Sequence, residues 1–255
     1  MEKKYKLTEE TINLYDRNLY RIEALKDFGD VKRGDKGGFI ENENNLSQYG
    51  DCWVYDDAMV YGDAVVYGNA KVYEDASVFD NAMVYGEAKV CGNAIVCGYV
   101  LVRENAMVYD EAKICGCAKV NGCACIYDKA KVYGDACVYG NAKIYENAWV
   151  YGNARVYGNV KVYGDCRVCG NAEVYGKAKV YGCAKIWGHA EVYDEAKVYD
   201  NSEVYGDAKV YGCAKICGRS EVWDEVKFCD NTESLFKRIS NLFKAIFRCN
   251  SDNAR

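Results

Sequence analysis

Proline is absent from all 255 residues, and histidine occurs once, at position 189. A chain with no proline but 24 tyrosines, 24 glycines and 15 cysteines is not an average globular mixture, and such bias points to a short repeated unit. No stretch approaches the ~20 apolar residues of a membrane span, and the opening MEKKYKLTEE lacks the apolar centre of a secretion signal. Positive charge is not in excess either. The formal net charge of −5 argues against a general nucleic-acid binder. An odd number of cysteines without a secretion signal reads as reduced thiols, so a soluble, cytoplasmic protein is expected.

What is present is a period of six. From Val54 to Val222 an aliphatic residue recurs at every sixth position, always Val or Ile, without insertion or deletion. Calling that position i, the next residue is aromatic in most hexads, i+2 is Gly or else Asp or Glu, and i+4 is nearly always Ala. Side chains alternate along an extended chain, so i and i+4 share one face and define a narrow apolar interior, while i+1 and the residue before i point outward. Gly or Asp at i+2, often followed by Asn or Asp, supplies a corner residue with positive φ. At Glu74, Glu104 and Glu146 the left-handed residue is expected one position later, because each is followed by Asp or Asn. A short strand and a corner every six residues coil best into a triangle.

This pattern resembles the hexapeptide-repeat proteins, and the resemblance implies an all-β solenoid. The expected form is a left-handed parallel β-helix of about ten triangular coils, roughly 46 Å long at the ~4.8 Å spacing of paired strands. Its left hand is implied by the resemblance, since general crossover rules favour the right. Residues 1–47 depart from the hexad and read as an N-terminal cap, 48–229 as the repeat, and 230–255 as a C-terminal amphipathic α-helix and tail. Within 231–249, Leu235, Phe236, Ile239, Leu242, Phe243, Ile246 and Phe247 form an apolar stripe opposite Lys237, Arg238, Lys244 and Arg248. The helix reads as a cap or a subunit contact, with a membrane-surface role the sharper alternative.

The N-terminal segment resembles that of YdcK-type proteins of bacteria and phages. It carries Arg21-Ile22, Asp27-Phe28, Asp30-Val31 and Gly37-Gly38, then Gly50, Cys52, Trp53 and Tyr55. Members of that family are commonly labelled acyltransferases. Hexapeptide proteins are typically trimers, so a homotrimer is the first expectation, with a dimer open.

The stretch CGCAKVNGCAC, residues 115–125, suggests a metal site. In the hexad frame Cys115 and Cys125 lie on different sides and Cys117 and Cys123 at different corners. Corners stand on the order of 15 Å apart, whereas zinc needs every sulfur about 2.3 Å away. These cysteines therefore read as substitutions in tolerant slots, and no metal or cofactor is implied.

Residues 18 apart stack into ladders. Lys143, Lys161, Lys179, Lys197 and Lys215 stand beside Tyr145, Tyr163, Tyr181 and Tyr199, a stripe able to track an anionic polymer or merely to keep a flat sheet soluble. An acidic corner carries Asp56, Asp57, Glu74, Asp75, Asp110, Glu111, Asp128 and Glu146, read as a solvated ridge rather than a calcium site. Near the N-terminus the outward slots hold Met59, Val65, Met83, Ile95, Leu101 and Met107, an apolar patch to be covered by the cap or by another subunit.

Hexapeptide acyltransferases generally use a histidine base, and here only His189 qualifies, with Asp207 one coil on, Asn171 one coil back, and Cys169 and Trp187 on the adjoining side. A lone histidine excludes the three-histidine zinc site of carbonic anhydrases of this fold. No loop interrupts the hexads to build a pocket. The leading reading is thus a rigid, non-catalytic interaction or scaffolding protein. Acyl transfer through His189, and capture of a small ligand or nucleotide between subunits, are the alternatives. The binding candidates are Trp187, Tyr163, Tyr181, Lys161, Lys179 and Lys197.

Overall fold

The computed structural model describes residues 2–223 and the backbone of 227–228, so the expected C-terminal helix lies outside the described residues. Strands β1 (Tyr5–Leu14), β2 (Arg17–Ala24) and β3 (Lys36–Ile40) precede a run of short strands that begins with β4 (Trp53–Val54), β5 (Met59–Val60) and β6 (Val65–Val66). Each later strand pairs in parallel with the strands 18 residues away, as Val72 with Val54 and Val78 with Val60. The result is three flat sheets, starting at Val54, Val60 and Val66, wound into a parallel solenoid of about ten coils. Every described aliphatic i residue and every Ala at i+4 is buried, which makes one continuous core along the axis. No helix among the described residues is long and apolar enough to cross a membrane.

Corners obey a stricter rule than the sequence suggested. All described i+2 residues have positive φ, and this includes Glu74 at 60°, Glu104 at 60° and Glu146 at 57°. The expectation that the following Asp or Asn would take that conformation is corrected. The reason lies one coil away. A Cβ added at Gly92 would sit 2.6 Å from the amide nitrogen of Asp110, so glycine removes a backbone clash as well as torsional strain. At every described i+2 carboxylate except Glu146, the side chain turns toward the equivalent amide of the next coil and accepts a hydrogen bond from it. Glu74 N donates to Asp56 (3.0 Å), Gly122 N to Glu104 (2.8 Å) and Glu146 N to Asp128 (3.0 Å). Part of the acidic ridge is therefore a backbone acceptor column.

The cap answers a problem of direction. Outward N–H groups of each coil donate to carbonyls of the next, as Tyr55 N to Val72 O at 2.8 Å. The carbonyls of the first coil consequently have no preceding coil to satisfy them, and buried orphans are destabilising. Main-chain donors supply part of the remedy, from Phe39 to Ala58 O, Glu41 to Val60 O and Ser47 to Val66 O. At the three corners side chains do the rest. Lys4 Nζ donates to Gly50 O (3.2 Å) and Cys52 O (2.9 Å), and Asn45 Nδ2 to Gly62 O and Ala64 O (both 2.9 Å). Arg21 Nη1 reaches Asp56 O at 2.9 Å while its guanidinium lies 4.2 Å from the Phe39 ring. Burial lowers the Lys4 ammonium pKa, and the Cys52 thiol opposes that shift. Over the open core, Trp53 packs edge-on to Tyr5 and Phe28 at 6.0 and 5.3 Å, with Ile22 and Leu46 buried beside them. Gly37 and Gly38 let β3 approach, since a Cβ there would come within 2.5 Å of Val54 O or 2.4 Å of Ala58 O.

Two predictions follow from corners and cap. Asp128→Ala keeps the left-handed backbone but loses the acceptor, and lowers stability by about 1–2 kcal/mol, whereas Asp128→Gly relieves the torsion and stays within about 0.5 kcal/mol of wild type in denaturant titration. Lys4→Met and Asn45→Ala each orphan two carbonyls and lower stability by about 2 kcal/mol. Thermal melts indistinguishable from that of Lys143→Met would contradict the assignment of Lys4 and Asn45 as end caps.

Candidate interaction face

The sheet that starts at Val54 places the residue before each i on its outer surface, in register with its copy one coil on. Lys143 pairs with Lys161, Lys161 with Lys179, Lys179 with Lys197 and Lys197 with Lys215. Two positions along, the rings of Tyr109, Tyr127, Tyr145, Tyr163, Tyr181 and Tyr199 form one continuous stack, with centroids 4.8–5.0 Å apart and planes within 5°. Partial burial raises the phenol pKa values of Tyr109 to Tyr181, to about 12 for Tyr109 and Tyr145, and a hydrogen bond with Cys217 raises that of Tyr199, so the stack stays neutral at physiological pH.

None of the five ladder lysines makes an ion pair among the described residues. Several cations elsewhere on the solenoid find carboxylates on neighbouring coils. Arg155 meets Glu173 at 3.3 Å, Lys185 meets Glu203 at 2.7 Å, and Lys209 meets Glu191 at 2.8 Å. At the ~4.8 Å spacing of strands, two unit charges in water repel by about 0.9 kcal/mol before screening and side-chain splay reduce it. Like charges directly opposite are destabilising in a sheet. The face therefore holds a lysine column with no ion pair among the described residues, beside a rigid aromatic surface and a corner carrying Asp128, Glu146 and Asp200, an arrangement suited to a line of anions and apolar groups.

Trp187 does not belong to this face. It lies on the Val60 side, stacked 4.6 Å from Tyr205 and exposed, so the binding candidates divide into two groups. His189 is exposed at the following corner. Its Nε2 lies 3.5 Å from Asn171 Nδ2, and its backbone N–H donates to Gly206 O. Asp207 is exposed one coil on, and no hydrogen bond joins it to the imidazole among the described residues. Cys169 stands half-buried on the Val60 side and interacts with the Tyr151 hydroxyl rather than with His189.

The hexad pattern assigns Trp149 no role. Its rare slot is the usable signal, because a residue before i stands proud of the sheet. Lys131 Nζ lies 4.6 Å over the indole and the Arg167 guanidinium 5.4 Å from it. Together with Lys113, Lys129 and Glu111 they line an open depression of about 450 Å³. Of the cysteine stretch at 115–125, Cys125 is buried, Cys115 half-buried, and Cys117 and Cys123 exposed at separate corners. No cluster of three or more metal-ligating side chains occurs among the described residues.

Residues 54–68, 148–164 and 154–170 match the YdcK β-solenoid repeat. No curated protein matches the sequence. The solved UDP-N-acetylglucosamine O-acyltransferase LpxA of Moraxella catarrhalis superposes with a TM-score of 0.51 at 14% identity, covering 72% of this chain and 83% of its own. A UDP-N-acetylglucosamine acyltransferase of Francisella novicida is 15% identical over 72% of this chain and 78% of its own, at a TM-score of 0.34 too low to support any argument. The likeness to LpxA establishes a shared solenoid fold and carries no chemistry with it.

A lysine ladder selected for stability would be mixed in sign. Lys179→Glu places a carboxylate between Lys161 and Lys197 and raises stability by about 0.5 kcal/mol, an increment that fades as salt screens it. Paired denaturant titrations at low and high salt measure both effects.

Proposed function

We propose that this hexapeptide-repeat, YdcK-like β-solenoid is a rigid, non-catalytic interaction protein whose Val54 face binds an acidic protein partner. The observation that carries this reading is the in-register ladder Lys143–Lys215, which makes no ion pair among the described residues, beside six stacked tyrosines, while inter-coil cations such as Lys185 and Lys209 are paired with carboxylates. A partner with carboxylates along an extended edge would relieve the repulsion and lay its apolar groups against the rings. The exposed setting of His189, with only the Asn171 amide beside it and no hydrogen bond to Asp207 among the described residues, supports binding over acyl transfer.

An oligomer, first a trimer, is part of the same reading. The cap hairpin extends the Val60 sheet and leaves Val65, Met83 and Leu101 uncovered on the Val66 side, next to the stacked Tyr67 and Tyr85. Such a flat apolar patch suits a subunit contact.

Fluorescence anisotropy with labelled polyglutamate tests the binding face. Wild type binds it with an affinity that falls steeply as salt rises, and replacing Lys161, Lys179 and Lys197 together by Glu abolishes binding without altering the melt by more than about 1 kcal/mol. Release of free thiol from an acyl-CoA, abolished by His189→Ala, would overturn the proposal and establish acyl transfer instead. In native mass spectrometry the wild type runs as a trimer, and Met83→Asp with Leu101→Asp releases monomers.

A further inference from the structure

Cys97 and Cys115 occupy the same outward slot on consecutive coils of the Val60 sheet. Val96 pairs with Ile114 just before them, and Cys97 N donates to Ile114 O at 2.9 Å. Their sulfurs lie 3.1 Å apart, Cys97 Sγ–H donating to Cys115 Sγ. No other two cysteines stand 18 residues apart in the sequence; Cys91 has Tyr73 and Tyr109 on its neighbouring coils, and Cys169 has Tyr151 and Trp187. Aromatic stacks flank the thiol pair, Tyr61–Phe79 on one side and Tyr133–Tyr151 on the other, each with centroids 4.9 Å apart. Both thiols are half-buried, open to a small reagent and shielded from a bulky one.

From this juxtaposition we infer that Cys97 and Cys115 form a peroxide-reactive dithiol site, oxidised reversibly to a disulfide that staples two adjacent coils. The strand spacing of ~4.8 Å already lies inside the Cα separation that disulfides accept, roughly 4.4–6.8 Å, so closure moves the sulfurs by about 1 Å without moving the backbone. The two cysteines differ in role. The Cys97 proton and the nearby Lys113 favour the thiolate at Cys115, whose pKa falls to about 7, while that of Cys97 is raised. Cys115 is thus the attacking thiolate and Cys97 the resolving thiol.

The chemistry balances with hydrogen peroxide as the oxidant. The Cys115 thiolate attacks one peroxide oxygen, the O–O bond breaks, and the departing hydroxide takes up a proton to become water, leaving a sulfenic acid on Cys115. Cys97 sulfur then attacks Cys115 sulfur, the S–O bond breaks, and the hydroxide leaves with the Cys97 proton as a second water. Two thiols lose two electrons and two protons, and one peroxide becomes two waters.

The test uses the reduced full-length chain, one equivalent of hydrogen peroxide, and peptide mass spectrometry after alkylation. The expected product is lighter by two hydrogens, with Cys97 linked to Cys115, and dithiothreitol reverses it. In Cys97→Ser the resolving thiol is gone and dimedone traps a sulfenic acid at Cys115. At neutral pH iodoacetamide labels Cys115 of the Cys97→Ser chain less than it labels Cys115 of wild type, in which Cys115 reacts about tenfold faster than an ordinary thiol. Peroxide that modifies exposed Cys117 and Cys123 as fast as Cys115, with no linked peptide, would overturn the inference. So would a Cys115–Cys117 link that persists in Cys97→Ser.

Discussion

Each coil must pair in register with the next, and every other feature of this molecule is a consequence of that stacking. A residue does not meet a varied environment here, because it meets its own equivalent about 4.8 Å along the axis. Whatever one coil does chemically, the next repeats or opposes. Valine or isoleucine at i and mostly alanine at i+4 therefore fill the interior with little variation in size. A Cβ at a corner is usually either absent or accompanied by an acceptor for the amide it crowds, which is why glycine alternates there with Asp and Glu. Tyrosines become a stack of rings, cysteines a pair of touching thiols, and lysines a column of mutual repulsion.

A stack of this kind has ends, and the first end shows how much of the structure is there to terminate it. Hydrogen bonding runs from each coil to the next, so the first coil presents carbonyls with no donor behind them. Lys4, Arg21 and Asn45 come from three separate segments and converge on three corners. An ammonium, a guanidinium and an amide serve one purpose, and each brings enough N–H groups for its site. Asp30 ties the same region together, accepting from both Tyr55 and Lys71 at 2.7 Å, contacts that hold its carboxyl pKa below the usual value. A carboxyl with a lowered folded-state pKa stabilises above its unfolded value, and that contribution is lost as pH falls below it, in the acid range.

The repeat was legible because periodicity is a property of the chain alone. The columns at i and i+4, the three sides and the 18-residue ladders all follow from counting, and the sheets pair as counting requires. Glu74 and Glu104 were misread because their role depends on an amide one coil away, which local turn preference does not see, and Glu146 takes the same positive φ without that bond among the described residues. Arg21, Gly37, Gly38 and Trp53 were recognisable as a pattern, but their task emerges only with the direction of the hydrogen bonds. Of the candidate site, the lysines and tyrosines were visible and their lack of counter-ions was not, since Lys185 and Lys209 occupy equivalent slots and are paired. Trp187 was grouped with residues on another side, and the depression beside Trp149 had only an unusual slot to announce it.

An uninterrupted solenoid builds no enclosed pocket easily, and its natural product is a flat, rigid face. The account therefore stands on whether the lysine ladder is the surface that meets an anionic partner. Reductive ¹³C-methylation of the lysines, followed by NMR during titration with polyglutamate, tests that claim most directly. The account predicts shifts confined to Lys143, Lys161, Lys179, Lys197 and Lys215, with the paired Lys185 and Lys209 unmoved. Equal shifts across all lysines, or changes centred on the corner around His189, would contradict it.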